Sequence, residues 1–263
     1  MEYDTETGMP DALAAGSAIQ LRLLGDFTVI HDGRPVRVRQ GGQRLLAFLG
    51  LQPRPVPRSR LAGALWPLRR AEQASANLRA ALSRLPRPGG RLLTSSEGTQ
   101  VSLAEEIEVD VRLSDAWMEE LRDAAGTASS TCPEARTVPR DELLASDVLP
   151  LWDDDWVIIE RERFRQARLH ALERLSVVLR QSGRAEDALQ AALSAVAGEP
   201  LRESAHRAVI EAHLAEGNPA EALRQYEIYR RLLRRELGLS PSDRIRQILA
   251  PLLGAPNRTG SDD

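Results

Sequence analysis

The chain has 263 residues, of which 42% are hydrophobic and 28% charged, a balance typical of a globular protein with one or two domains. No apolar run reaches the length of about 18 residues that a membrane-spanning helix needs, and the acidic N-terminus does not resemble a secretory signal. The single cysteine, Cys132, excludes an internal disulfide and a multi-cysteine metal site. We therefore expect a cytoplasmic protein.

Charge is distributed unevenly along the chain. All 35 basic residues are arginine, which we attribute chiefly to a GC-rich genome. Residues 19–103 hold 14 arginines against four acidic residues, whereas residues 104–160 hold four arginines against 16 acidic residues. A strongly basic block predicts a polyanionic partner. The acidic block could instead lie on the basic one and mask it, so masking is a second hypothesis.

The N-terminal part begins with a tail and a sheet. Residues 1–18 are acidic and unpatterned, which is typical of a disordered tail. Apolar residues then alternate with polar ones in 19–23, 27–31 and 36–38, which predicts short strands. Because Asp32-Gly33 is a common hairpin turn, we expect a small antiparallel sheet here.

Three helices and a hairpin follow the sheet. Proline positions and apolar spacing predict helices over 43–51, 59–66 and 72–85. We interpret Leu92 and Leu93 as the first strand of the hairpin, Glu97-Gly98 as its turn, and Val101 with Leu103 as its second strand. This order predicts a winged helix-turn-helix DNA-binding domain over 19–103.

The C-terminal part is predicted to be helical. We expect a helix over 113–125, a mobile loop over 126–139 and a short helix over 141–146. The sequence of Gly183–Leu189 is matched 34 residues later by 217–223, a period typical of tetratricopeptide repeats. The predicted fold class is thus mainly α with small β: a winged helix-turn-helix followed by an all-α tetratricopeptide-like helical-repeat domain over 104–254. A polar tail spans 255–263.

The third predicted helix carries the DNA-binding hypothesis. At 100° per residue, Ala74, Leu78, Leu82 and Leu85 share the face turned to the core. The remaining surface holds small and polar residues edged by arginine, namely Gln73, Ala76, Asn77, Arg79, Ala80, Ser83 and Arg84. Such a face suits a major groove, where arginine reads guanine and asparagine reads adenine. A plain solvated helix would have the same profile, and the position within the winged-helix order favours DNA.

Residues on both sides of this helix extend the predicted interface. Arg69 and Arg70 precede it, and Arg87 and Arg91 follow it, as expected for contacts with phosphates. We place hydroxyl side chains at the tip of the wing, where they make a weaker contact because the tip lacks arginine. These residues are Thr94, Ser95, Ser96 and Thr99.

Motifs for catalysis or for a cofactor are missing from the sequence. It contains no glycine-rich dinucleotide or phosphate loop and no serine nucleophile elbow. His206 and His213 are seven residues apart, too far for a zinc pair on one helix. The run 153–155 is best explained as a solvated turn or a helix N-cap. We therefore expect neither an enzyme nor a bound metal or cofactor.

Several stretches in the same order resemble the Streptomyces antibiotic regulatory protein (SARP) family, over residues 19–254. They include 61–67 (LAGALWP) and Asn77-Leu78-Arg79, and the most specific lie in the helical part, such as 199–207 (EPLRESAHR) and 212–217 (AHLAEG). The resemblance implies an OmpR-like winged helix joined to a bacterial transcriptional activation domain. It also implies an activator that binds direct repeats in promoter DNA, as a homodimer or in more copies, and recruits RNA polymerase holoenzyme. Family members commonly control secondary-metabolite (antibiotic) genes.

Two stretches depart from the family pattern. The link after Pro67 is Leu68-Arg69-Arg70 where the family is usually acidic, and in OmpR-like folds this link touches polymerase. The wing carries Gly98-Thr99 where the family usually has Gly-Tyr. Two alternatives stay open: a protein-interaction adaptor acting through the helical repeats, and a helical domain that binds a small effector.

Overall fold

The computed structural model describes residues 19–124 and 146–253. The predicted tails at 1–18 and 255–263 lie outside the described residues, as do Cys132, the predicted loop over 126–139 and nearly all of the predicted helix over 141–146. No helix in the described ranges is both long enough and apolar enough to span a membrane.

The chain folds as two compact units. The first comprises the described residues up to Leu113 together with Val148–Ile158, and the second comprises the remaining described residues. In chain order the elements are β1 (Ile19–Arg22), β2 (Thr28–His31), β3 (Arg34–Val36), α1 (Gln40–Leu51), β4 (Val56–Pro57), α2 (Arg58–Leu65), α3 (Ala71–Ser83), β5 (Thr94–Glu97), β6 (Gln100–Leu103), β7 (Ile107–Val109), α4 (Asp110–Ala124), α5 (Asp155–Gln181), α6 (Ala185–Gly198), α7 (Glu203–Ala215), α8 (Pro219–Leu237) and α9 (Asp243–Leu253).

A four-stranded sheet opens the first unit, in the order β3-β2-β1-β7. β1 and β2 pair antiparallel, with Ile19 opposite His31. Asp32 and Gly33 form the predicted hairpin turn with φ values of 49° and 70°. β7 pairs with β1 in parallel, so the sheet is not purely antiparallel as expected. It also takes in residues beyond 103, where the sequence placed the domain boundary.

The three predicted helices form around a leucine core that includes Leu45, Leu61, Leu65 and Leu78, all nearly inaccessible to solvent. The wing is a three-stranded sheet in the order β4-β6-β5. β4 was not predicted, because its two residues lie in a proline-rich stretch that reads as a loop. Pro57 is tolerated there because β4 lies at the sheet edge.

The predicted first strand of the wing was wrong. Leu92 and Leu93 lie before the strand, which begins at Thr94 opposite Leu103. Leu93 is buried and Leu92 is 56% exposed, but neither residue is in register with a residue of β6. The pairing partner on β6, which is fixed by tertiary contacts, decides where the strand begins.

Residues 148–158 are part of the first unit although they are distant in sequence. Leu149 donates its backbone N–H to the carbonyl of Leu23 at 2.9 Å. Trp152 stacks on Phe27 with ring centroids 6.0 Å apart. Trp156 of the same segment packs edge to face on Phe48 of α1. These contacts close one side of the winged-helix core.

An ion pair also joins this segment to α1. Asp154, which the sequence placed in a solvated turn or helix N-cap, does precede α5, and its carbonyl accepts from the N–H groups of Val157 and Ile158. Its carboxylate, however, is only 18% exposed and pairs with Arg44. Its role is therefore partly to fix the chain on the first unit.

The second unit is an array of antiparallel helices. Gly183 and Gly217 end α5 and α7 with φ values of 77° and 76°, which a residue without Cβ adopts freely. Ala188 and Ala222 lie one turn into the next helices and are fully buried, so neighbouring helices approach closely. The two turns are equivalent, which confirms the 34-residue tetratricopeptide-like repeat.

Candidate nucleic-acid interface

α3 forms where the sequence predicts it. Its alanines favour helix, and Glu72 in the first turn complements the helix dipole. The helix ends at Ser83 rather than at Leu85, because the residue before Pro86 is biased away from helical geometry. It is the third helix of the winged-helix order.

The two faces of α3 differ as the 100° spacing predicts. Ala74 and Leu78 are buried, with 2% of each side chain exposed, and Leu82 is half-buried. The predicted outward residues are exposed or half-buried: Gln73, Ala76, Arg79, Ser83 and Arg84 are exposed, and Asn77 and Ala80 are half-buried. The outward face is small and polar, so another macromolecule can approach the helix closely.

The arginines around α3 differ from most arginines of the helical unit in their partners. Within the described residues, Arg69, Arg70, Arg79, Arg84 and Arg87 make no ion pair with a carboxylate, and all five are exposed. In the helical unit, by contrast, most described arginines pair with a carboxylate, and some bridge separate helices, as Arg180 does to Glu211 at 2.8 Å. Arginines without an acidic partner keep their full charge available to an outside anion.

A groove of about 1030 Å³ separates the C-terminal half of α3 from the wing. Of the predicted residues, it brings together Arg79, Ser83, Thr94, Ser95 and Ser96. A guanidinium and several hydroxyls thus face one open space, and all of them can donate hydrogen bonds to phosphate oxygens. The groove is also lined by Glu97, Glu105 and Glu106, whose negative charge limits where an anion can lie.

The remaining predicted residues lie in other places. Asn77, Ala80 and Arg84 line a smaller recess of about 280 Å³ beside the start of α1. Arg87 lies in a third recess with Arg34, beneath the hairpin of the N-terminal sheet. Arg69 and Arg70 lie in the exposed link between α2 and α3, next to Leu68, which is 97% exposed. Arg91 follows the turn over Pro88–Gly90 and is exposed.

The predicted wing tip needs a correction. Thr94 pairs with Leu103 at the base of the hairpin, and Glu97 pairs with Gln100 next to the turn. Thr94 and Ser95 are therefore not at the tip, and only Thr99 of the four predicted hydroxyl residues lies in the turn. The strand runs up to Glu97, and each residue along it adds about 3.3 Å, so Thr94 lies roughly 10 Å from the turn.

Two arginines that the sequence reasoning missed complete the surface. Arg58, the first residue of α2, lines the groove and donates to Ser96 of the wing at 3.1 Å. Arg39 precedes α1 and shares the smaller recess with Asn77 and Arg84. Their only sequence signal is a basic residue at a predicted helix start, which is usually unfavourable for the helix dipole and so hints at another role.

Histidine and acidic side chains are the remaining candidates for metal binding. Across the described ranges, no group of three or more His, Cys, Asp or Glu side chains could hold a metal ion. His206 is buried, stacks on Tyr229 with ring centroids 4.4 Å apart and lies 2.8 Å from the carbonyl of Pro200. Gln225 lies 2.9 Å from its other ring nitrogen. Both ring nitrogens have partners, so this histidine belongs to the core of the helical unit.

Similarity to known proteins agrees with this architecture. Residues 109–253 match the family described as the bacterial transcriptional activator domain. Regulatory protein AfsR of Streptomyces coelicolor is 30% identical over 261 residues, which cover 94% of this chain and 25% of AfsR. AfsR of Streptomyces griseus is 29% identical over 262 residues, 95% of this chain and 26% of that protein. The chain thus spans about a quarter of the length of these relatives.

A solved structure shares the fold. The chain resembles Mycobacterium tuberculosis EmbR, solved in complex with a low affinity phosphopeptide, with a TM-score of 0.71 and 20% identity. The likeness covers 91% of this chain and 66% of that one. With a family match over more than half its length, the chain belongs to the bacterial transcriptional activator domain family.

Proposed function

We propose that this regulator is a sequence-specific DNA-binding activator. α3 enters the major groove, Arg79 and Asn77 read base edges, and the arginines on either side of the helix hold phosphates. The observation that carries this proposal is the outward face of α3, small and polar, with exposed arginines that pair with no described carboxylate. A helix face that contacts only solvent does not require several unpaired arginines close together.

We infer the mode of activation from the family to which the chain belongs. The protein binds direct repeats in promoter DNA as a homodimer and recruits RNA polymerase holoenzyme, and its targets are secondary-metabolite (antibiotic) genes. Such a protein works in the bacterial cytoplasm, without a catalytic site or a cofactor. The similarity to AfsR of two Streptomyces species supports this assignment.

The proposal is tested by equilibrium binding of the full chain to the duplex upstream of its own gene and to a scrambled duplex, over a series of salt concentrations. Each phosphate contact should contribute about −0.9 to the slope of log affinity against log salt. We expect tighter binding to the upstream duplex, with a slope that shows several contacts. Equally weak binding to both duplexes would contradict the proposal and favour an adaptor that acts through the helical repeats.

A further inference from the structure

One surface outside the winged-helix unit also concentrates positive charge. α8 packs its inner face on the core of the helical unit through Ala222, Tyr229 and Leu233. On a wheel of 100° per residue, its arginines all fall on the opposite side, within an arc of roughly 140°. They are Arg224, Arg230, Arg231, Arg234 and Arg235, and all are exposed. Only one acidic residue, Glu227, lies within this arc.

These arginines do not hold the helical unit together. Among the described residues, Arg224, Arg230 and Arg235 pair only with glutamates of α8 itself, at most three residues away. Elsewhere in the unit, Arg165 and Arg202 reach acidic residues more than 28 positions away, which ties separate segments together. Exposed pairs between neighbours on one helix are weak, so an outside anion can replace the glutamate.

The dimensions of the face suit a nucleic-acid strand. From Arg224 to Arg235 the helix rises about 16 Å, so the guanidinium groups follow one another along a line rather than around a point. A pocket for a small anion would need converging donors and some burial, and this face has neither. An extended polyanion with regularly spaced charges meets several of these groups at once.

We propose that the arginine face of α8 is a second, sequence-independent contact with the phosphate backbone of DNA. The inference rests on the proposed DNA-binding function and assigns to the helical unit a share of the affinity. The winged-helix unit selects the sequence, and the α8 face adds phosphate contacts that raise the affinity for every duplex alike.

The test uses the full chain with Arg231→Gln and Arg235→Gln together, since glutamine keeps the helix propensity and side-chain length. The matched control is Arg174→Gln with Arg184→Gln, which removes two exposed arginines of the same unit and changes the net charge equally. Circular dichroism checks that both variants keep the wild-type fold. Affinity for the upstream and the scrambled duplex is measured over the same salt series.

We expect the α8 variant to bind both duplexes about tenfold more weakly than the control and to lower the salt slope by about 2, the value for two lost phosphate contacts. Binding equal to wild type would overturn the inference, and so would an equal loss in the control. Normal DNA binding with reduced transcription in vitro would also overturn it and would assign the face to an acidic protein. If wild-type protein binds neither duplex, the proposed function fails as well.

Discussion

The carboxylate of Asp110 accepts hydrogen bonds from the backbone N–H groups of Leu23 and Leu24, all at 2.9 Å. Asp110 begins α4, and Leu23 directly follows β1, so one side chain joins two distant parts of the first unit. Burial raises the pKa of Asp110, and the backbone hydrogen bonds from Leu24, Leu23 and Val111 oppose that rise. The winged-helix unit therefore depends on Asp110, which lies in the acidic segment 104–160 of the sequence.

We expect Asp110→Ala to lower the free energy of unfolding by about 1–3 kcal/mol, because the backbone N–H groups of Leu23, Leu24 and Val111 lose their acceptor in a half-buried place. Urea denaturation measures the change. Glu108→Ala removes an exposed carboxylate two residues earlier and serves as the control. A loss no larger than that of the control would show that the carboxylate has no structural role.

A fragment that ends at residue 103 should not fold cooperatively. It lacks β7, Asp110 and the segment 148–158, whose Trp156 packs on Phe48 with ring centroids 5.1 Å apart. Thermal unfolding followed by circular dichroism tests this against the full chain. A sharp transition at the full-chain midpoint would contradict the expectation and would show that the expected boundary was sufficient.

Masking of the basic surface by the acidic block therefore needs a test on the intact chain. If the acidic face of α4 covers the interface, Glu119→Gln with Glu120→Gln should raise DNA affinity several-fold. The control is Glu162→Gln with Glu186→Gln, which removes the same charge from exposed positions outside α4 and α8. An equal rise in both variants reflects net charge alone and rejects masking.

Two arginines near α3 should differ in what they recognise. Arg79→Ala should cost about 1–3 kcal/mol on the upstream duplex and much less on a scrambled one, because a base contact is lost. Arg87→Ala should weaken both duplexes alike, because it removes a phosphate contact. Fluorescence anisotropy gives the four affinities. An equal loss for Arg79→Ala on the two duplexes would reject its base-reading role, and a selective loss for Arg87→Ala would reject its phosphate role.

The buried histidine of the helical unit predicts a pH dependence. Burial lowers the pKa of His206 from its usual 6.5, and its hydrogen bond with Pro200 partly opposes this shift. The unfolded chain therefore takes up this proton first as pH falls. The contribution of His206 to stability is fully present above about pH 6.5. It is lost as the pH falls from there to the folded-state pKa. For one proton the slope cannot exceed about 1.4 kcal/mol per pH unit.

Urea denaturation between pH 7.5 and 5.5 tests this with His206→Gln, which does not titrate but offers a donor and an acceptor to Pro200 and Gln225. The other three histidines remain in both proteins, so the comparison isolates one group. We expect a flatter pH profile for the variant. Parallel profiles would mean that His206 keeps its usual proton affinity in the fold.

Local patterns predicted the elements that depend on local contacts. Spacing along α3 correctly assigned Leu78 to the core and Arg79 to the surface, because burial of one helix face follows from its periodicity. The 34-residue repeat placed both helix turns, because Gly183 and Gly217 meet the same backbone requirement.

Contacts between distant residues could not be predicted in the same way. β7 has three residues and becomes a strand only by pairing with β1. Arg44 and Asp154 are separated by 110 positions, and nothing near either residue identifies its partner. The groove between α3 and the wing arises similarly, since Arg58 and Arg79 share it only after the wing sheet forms.

The most direct test of the central claim is a DNase I footprint of the full chain on the DNA upstream of its own gene. Wild-type protein and Arg79→Ala are compared at concentrations that bind a scrambled duplex equally. The account predicts protection at repeated sites by wild type, and loss of that protection in the variant. Uniform or absent protection by wild type, or an unchanged footprint in the variant, would contradict sequence reading by α3.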